Sequence, residues 1–481
     1  MAQSVKVNYI LNLINTGTQM LFPLITFPYA CRVIEADGIG LVNFFNSIIG
    51  YISLFTCLGI PLYAIREIAR VRDDIVQMNR TAVEILLLHT FLTFFGYVAV
   101  AIICLFVPEV QAYKTLFLIL SLTILFTTLG CEWFYQGIED FKYITIRGLI
   151  VKIVSLALLF VFVKTKNDLL NYGWYCVFGT LGGNIFNFIR LREYIHRENI
   201  IFSQLNITRH LKPVLEVFSY NVVISIYLQL NTVLLGFMKS ALAVGFFTAA
   251  TKLMQMIMKL SSCLGSVILP RGTNLLSEHK EEEFNSLIQK SYDFTLALSF
   301  PLMMGLIMCA PQIIYVLCGQ EFAPAILTSQ IIAPIILMVG ISGVMGFQVL
   351  YPIGKINIVT LCCAIGAVVD LLLNVLLIPN LSYNGTAIAY LGAEFATTVS
   401  MYLIAHKHFA ISFLKKCHVH YVMGSLFMSF AILIISHFLQ ASQLVQLVIQ
   451  AIVGVTVYLS YLLLIKDSML VLLISKIKNH V

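Results

Sequence analysis

The chain is 481 residues long, 59% hydrophobic and 11% charged, with a formal net charge of +7. No stretch stays polar long enough to form a soluble domain. The loops hold no GxxxxGK[ST] phosphate loop, no Ser-His-Asp arrangement and no metal-ligand spacing, which excludes a self-contained ATP-driven pump or a soluble enzyme. The positive charge sits in the gaps between apolar segments, where it reports membrane topology rather than nucleic-acid binding.

A membrane-spanning helix needs roughly 20 apolar residues, and about fourteen such segments follow one another along the chain. They cover 8–30, 41–64, 81–107, 115–137, 145–163, 171–191, 217–238, 243–268, 292–318, 325–350, 357–378, 385–405, 420–438 and 444–465. All are expected to be helices, because a lipid-exposed backbone must satisfy its own hydrogen bonds. The run from Tyr9 to Ala30 is too long for a cleavable signal. The eleven cysteines fall mostly inside spans at unrelated spacings, as small packing residues do.

Lys and Arg crowd every second gap. Lys6 precedes the first span, and Arg66, Arg70, Arg72 and Arg80 follow the second. Lys142, Arg147 and Lys152 follow the fourth; Arg190, Arg192, Arg197, Arg209 and Lys212 follow the sixth. The pattern continues through Arg271, Lys355 and Lys407 to Lys466, Lys476 and Lys478 after the last. The opposite gaps are short and hold only Arg32, Lys114, Lys164, Lys166 and Lys239. This distribution puts both termini in the cytoplasm and makes the number of spans even.

The longest connection, 192–216, divides the chain into an N-terminal six-helix bundle (1–191) and a C-terminal one (217–405). Two extra helices and a cytoplasmic tail follow (406–481). A weak internal repeat supports the division: Gly40-Leu41-Val42-Asn43-Phe44 with Ile60-Pro61 and Arg66 in one half, Gly245-Phe246-Phe247-Thr248 with Leu269-Pro270-Arg271 in the other. Repeats with an even span count are related by an axis along the membrane normal. The expected fold is an all-α integral membrane protein with two pseudo-symmetric six-helix bundles around a central cavity, the architecture of an alternating-access transporter. The stretch from Leu269 to Ser291 is expected to be an amphipathic surface segment.

Polar groups inside spans need a reason, since a central charge costs about 2.5–3.5 kcal/mol or more. Lys252 and Lys259 share one face of the eighth span and suit an anionic substrate; the other reading is that Lys259 snorkels to the cytoplasmic interface or pairs with a carboxylate. Arg32 ends the first span, as a substrate contact or an interface anchor. Asp370 and Asn374 lie one turn apart in span eleven, and Glu394 lies in span twelve. Their hard oxygens suit Na⁺ or proton coupling, or a helix–helix hydrogen bond. Asp293 and His89 are weaker candidates of the same kind, and Gln229 and Asn231 suit sugar hydroxyls or packing. Glu132 lies by Trp133 and Tyr135 at the expected interface, within reach of Arg147.

The run Glu132-Trp133-Phe134-Tyr135-Gln136-Gly137-Ile138-Glu139-Asp140-Phe141-Lys142-Tyr143-Ile144-Thr145-Ile146-Arg147 resembles the signature of bacterial polysaccharide flippases, the O-antigen and capsule repeat-unit exporters of the multidrug/oligosaccharidyl-lipid/polysaccharide exporter superfamily. Phe27-Pro28-Tyr29, Gly59-Ile60-Pro61 and Arg66-Glu67-Ile68-Ala69 add to it. The segment from Phe246 to Met254 is similar to span eight of the lipid II flippases, which implies that Lys252 faces the substrate's pyrophosphate. Those relatives also carry arginines inside span one, and this chain has none between Lys6 and Arg32. Their sodium site draws on spans seven, eleven and twelve; here span seven offers Asn231 instead of a carboxylate, so sodium and proton coupling are equally open.

The resemblance implies a flippase in the cytoplasmic (inner) membrane, not an enzyme. It would move polyprenyl-pyrophosphate-linked oligosaccharide for O-antigen, capsule or exopolysaccharide synthesis. No cofactor is expected beyond a coupling ion; the partners would be that lipid substrate, membrane lipids and a polysaccharide polymerase, on a monomeric chain. An ion-coupled drug exporter of the same superfamily is the alternative. A membrane polymerase fits less well, because the outer gaps lack a large arginine-bearing loop.

Overall fold

The expectation of helix throughout is met. The computed structural model describes residues 5–196, 198, 203, 205–262, 265–408 and 411–467, and among them there is no strand. Arg197, Lys476 and Lys478 lie outside the described residues. The chain separates into two compact units, Met1–Phe237 and Met238–Val481.

The first unit is built from α1 (Val5–Cys57), α2 (Ile60–Val71), α3 (Ile75–Phe106), the short α4 (Pro108–Gln111), α5 (Lys114–Gly130), α6 (Glu132–Gly137), α7 (Phe141–Phe162), α8 (Leu169–Leu181), α9 (Asn184–Leu191) and α10 (Leu211–Met238). The second holds α11 (Ala241–Ser262), α12 (Gly265–Ser277), α13 (Glu281–Leu317), α14 (Ala325–Ile332), α15 (Ile335–Gly343), α16 (Ile356–Ala405), α17 (Lys416–Phe438) and α18 (Gln443–Leu464). The expected amphipathic segment 269–291 is helical on both sides of a turn at His279 (φ 58°).

Ten segments of the described residues are long and apolar enough to cross a membrane. Two of them, Phe22–Val71 (50 residues) and Ile356–His408 (53 residues), would each measure roughly 75 Å or more at 1.5 Å per residue, over twice the hydrocarbon thickness. Each overlies two of the expected spans; Glu35 (φ 63°, ψ 178°) breaks α1 and Ser382 (φ 50°, ψ −131°) breaks α16, and Leu58 (φ 41°) and Gly59 (φ 79°) separate α1 from α2. The remaining expected spans also fall on helices, consistent with fourteen.

Ser382 reverses the chain. A Cβ at Gly392 would lie 2.7 Å from Leu373 Cδ1, and one at Gly366 would lie 3.1 Å from the Ala393 carbonyl oxygen and against Thr397. Partners advance on one arm as they recede on the other, so the two arms of α16 run antiparallel in glycine-mediated contact. Small residues at such crossings let backbones approach where lipid supplies no hydrophobic drive. In the first unit Phe44 packs on Gly236 and Gln229 on Gly50, which lays α10 antiparallel to the second arm of α1.

Each unit has an apolar core at the level of its basic loops: Ile60, Ile68, Ile85 and Phe134 in the first, Tyr292, Leu296, Tyr421 and Met428 in the second. Large apolar side chains are also exposed along the helices, Phe94, Phe106, Ile153 and Leu376 among them. That is the surface expected of helices solvated by hydrocarbon rather than water.

Candidate functional site

Four groupings of polar residues stand out among the described residues.

The first is a stripe on α11. Ala249, Ala250, Leu253 and Met254 bury one face of this helix completely or nearly so. Lys252, Gln255 and Lys259 lie on the other face and are exposed. Spacings of three and four residues align them on one side, so the two expected lysines share one polar surface with Gln255 between them. Arg32 is exposed on α1, in the other unit.

The second cluster lies between the arms of α16. Asp370 and Asn374 are fully buried, and Glu394 is 7% exposed. Asn374 Nδ2 donates to Asp370 Oδ1 at 3.1 Å and to the Asp370 carbonyl at 2.9 Å. Across the turn, Gly366 meets Ala393 and Thr397, and Gly392 meets Leu373, which brings the Asp370 and Glu394 stretches of the two arms side by side. The three residues expected to couple an ion therefore share one neighbourhood, brought together by the turn at Ser382.

The third cluster is the signature run. Cys131 adopts a left-handed conformation (φ 43°, ψ 34°) that ends α5 and lets Glu132 open α6. Trp133, Phe134 and Tyr135 are then buried rather than displayed at an interface. Tyr135 Oη donates to the Asn187 carbonyl at 2.6 Å, and Asn187 Nδ2 donates to the Gly130 carbonyl at 2.6 Å. Asp140 accepts from the Tyr143 amide at 3.3 Å and from Arg190 Nη1 at 2.9 Å. Arg190 in turn lies 4.0 Å over the Tyr143 ring, a cation–π contact. The signature is thus a knot tying α5, α6 and α7 to α9. Glu132 and Arg147 come within 3.9 Å, an ion pair longer than a hydrogen bond. Beside them a cleft of about 650 Å³ opens between α7 and α9.

The fourth feature was not marked by the sequence pattern. Glu84 on α3, fully buried, accepts from Arg80 (3.0 Å), Arg209 (2.6 Å) and the Asn206 amide (2.7 Å), and lies 2.9 Å from His210 Nε2. Tyr63 Oη lies 2.7 Å from His210 Nδ1. Burial holds the His210 imidazole below its ordinary pKa, against the pull of the Glu84 carboxylate. His210 Nε2 faces Glu84 and also accepts from Arg209 Nε at 3.2 Å, while Nδ1 faces Tyr63. The second unit has a counterpart: Asp293 on α13 meets His418 at 2.9 Å, Lys415 at 3.1 Å and Gln289 at 2.7 Å. The i,i+4 pairing of Arg80 with Glu84 was the one local sign of this arrangement.

The second unit also holds an apolar groove of about 460 Å³, lined by Pro301, Cys309, Met428, Ile432 and Tyr458 among others.

A family model described as "Polysaccharide biosynthesis protein" matches residues 5–276, more than half of the chain. The chain belongs to this polysaccharide biosynthesis protein family. The family member is 26% identical to a protein of Shigella dysenteriae named as a candidate O-antigen transporter, over 76% of this chain and 91% of that protein. A protein of Escherichia coli named in the same way is 24% identical over 72% of this chain and 83% of its own length. In three dimensions it resembles the lipid II flippase MurJ in an inward closed conformation, with a TM-score of 0.70, 16% identity and coverage of 95% and 99% of the two chains. It also resembles an inward-facing multidrug resistance MATE family transporter of the MOP superfamily, with a TM-score of 0.65 and 13% identity over 83% and 98%. The family member therefore has the fold of these solved transporters.

Proposed function

We propose that this protein flips polyprenyl-diphosphate-linked oligosaccharide repeat units across the cytoplasmic membrane for surface polysaccharide synthesis, by alternating access. The family match and the curated relatives support the substrate class. A further relative, from Haloferax volcanii, is named as a candidate low-salt glycan biosynthesis flippase and is 24% identical over 51% of this chain. The observation that carries the reading onto this chain's own residues is the α11 stripe. A helix whose other face is closed by Ala249, Ala250, Leu253 and Met254 exposes two cations and an amide in a row. A row of exposed cations attracts an anion, and a diphosphate is the anion such a substrate brings. Lys252 and Lys259 would neutralise it; the isoprenoid tail would stay in hydrocarbon throughout.

Transport uphill needs a driving gradient. Asp370, Asn374 and Glu394 offer oxygens of the kind that take Na⁺ or a proton, and we assign them the coupling role. The sorting of Lys and Arg along the chain supports two cytoplasmic termini. A polymerase that joins the delivered repeat units is the expected partner. The multidrug exporter alternative has only fold-level likeness in its favour.

The test is deletion of the gene in its host, followed by analysis of lipid-linked oligosaccharide. Accumulation of intact repeat units on the cytoplasmic side, with loss of surface polysaccharide, is expected. Normal surface polysaccharide in a host with no second flippase would overturn the reading.

A further inference from the structure

The cleft between α7 and α9 is lined on one wall by Lys142, Ile146, Arg147 and Ile150, and on the other by Phe186, Ile189, Arg190 and Glu193. Lys142, Ile146 and Ile150 recur every four residues on α7 with Arg147 beside them, and Phe186, Ile189 and Arg190 share a face of α9 with Glu193 just past its end. The charges within it are unevenly satisfied. Arg190 takes both of its carboxylates: Asp140 lies 2.9 Å from its Nη1 and Glu193 3.7 Å from its Nε. Lys142 is exposed and forms no salt bridge among the described residues. Arg147 is different again. Its side chain is only 11% exposed, its Nη2 reaches Glu132 at 3.9 Å, and its Nε and Nη1 are buried with no hydrogen-bond acceptor. A guanidinium held this way lacks the bonds that normally compensate burial. A Cβ at Gly183 would lie 2.8 Å from Arg147 Nε, so the glycine makes room for the guanidinium where it stands.

The surroundings specify what would complete it. The positive excess of the cleft is at Lys142 and Arg147, so the ligand group is an anion. Arg favours phosphate because its planar fork matches two phosphate oxygens. Ile146, Ile150, Phe186 and Ile189 are 46%, 55%, 56% and 57% exposed on the same two helices. They offer hydrocarbon contact beside the cations, near the end of a membrane span that starts at Phe141. A soluble anion would use only the charged half of the cleft; a lipid uses both.

We propose that this cleft binds the phosphate of an anionic membrane lipid, with Arg147 and Lys142 on the phosphate and the exposed isoleucines and Phe186 along its hydrocarbon. The site is separate from the α11 stripe and stands whether or not the flippase reading does, since binding here is measured without transport. Glu132 acts as the resident competitor: it partly occupies Nη2 when the lipid is absent.

The experiment is native mass spectrometry of the purified full-length protein, titrated in parallel with phosphatidylglycerol, phosphatidylcholine and inorganic phosphate. Phosphatidylglycerol should be retained about tenfold more tightly than phosphatidylcholine, on the scale of one charge-assisted hydrogen bond. R147Q and K142Q should each remove most of that preference, K280Q, on an exposed loop remote in sequence, should leave it, and E132Q should strengthen it. Because E132Q predicts a gain, misfolding of R147Q alone cannot imitate the result. Equal retention of the two lipids, an unchanged preference in R147Q, or Arg147-dependent binding of inorganic phosphate at the same strength would overturn the assignment.

Discussion

Glu84 and His210 lie 126 residues apart in the chain and 2.9 Å apart in space. Asp293 and His418, 125 residues apart, repeat the relationship at 2.9 Å in the other unit. In each case the carboxylate sits near the start of a membrane-spanning helix, on α3 or α13, and the imidazole comes from the start of a later helix: His210 just before α10, His418 in the first turn of α17. A cation from the same segment joins each pair, Arg209 or Lys415. Each latch closes one unit on itself.

Breaking either latch from the carboxylate side should be severe. Glu84→Ala would strand His210 and two arginines beside an apolar core, and removing one partner of a buried pair costs about 3–5 kcal/mol. The expected outcome is a large fall in the detergent melting temperature and in the amount of protein recovered from membranes. Asp293→Ala should behave similarly in the second unit. A melting temperature within a degree or two of the unsubstituted protein would contradict the role.

The first latch should also respond to acid. Burial depresses the His210 pKa in the folded protein, while the unfolded chain titrates near the ordinary value of about 6.5. Stability is therefore full above about pH 6.5 and is lost as the pH falls from there toward the lower folded value. Melting temperatures measured between pH 7.5 and pH 5 should decline, and His210→Gln should flatten the decline. Arg209, Tyr63 and Glu67 surround the same ring and should set its steepness.

The α16 turn depends on contact between its arms. Gly366→Ala would drive a methyl group against Thr397 and the Ala393 carbonyl, and the second of these is backbone that cannot rotate away. A cost of about 1–3 kcal/mol is expected, as for other overpacked sites. The readouts are melting temperature and the spacing of a spin-label pair placed on the two arms. Thr397→Ala should rescue part of the loss by opening space at the crossing.

Lys252→Ala should reduce export by about tenfold or more, the effect of one lost charge-assisted hydrogen bond, without reducing the protein's level in the membrane. Lys252→Arg should retain most of the activity. Surface polysaccharide and membrane-fraction blots together decide this, and unchanged export by the alanine variant would remove Lys252 from the substrate path.

Asp370→Asn keeps the shape of the buried α16 cluster and removes its charge. Proteoliposomes given a sodium or a pH gradient should show gradient-stimulated transport from the unsubstituted protein and none from this variant. The gradient that stimulates identifies the ion. Equal stimulation of both proteins would free Asp370 of the coupling role.

The helices were legible because hydrocarbon imposes one solution on every span, and runs such as Ile75–Phe106 leave no alternative. Lys252 and Lys259 could be placed on one face from their spacing alone. The partners of Glu84 and Asp293 could not be foreseen, since neither His210 nor His418 is near in sequence and each joins through tertiary packing. Trp133 and Tyr135 are an instructive case: their amphipathic rings suggested an interface, and the structure adds that the left-handed turn at Cys131 packs them into the core of their unit. Arg147 was visible as a charge, and only the packing around Gly183 shows that its guanidinium is held without adequate partners.

The reversal of α16 at Ser382 leaves no slack between its arms. A protease, an antibody or an inserted peptide tag would find no loop to grip at that end of the hairpin, so labelling strategies must go elsewhere. The same shortness means that a push on one arm is felt at once by the other. Asp370 and Glu394, one on each arm, would then travel together as the ends of a single lever rather than as independently mobile groups.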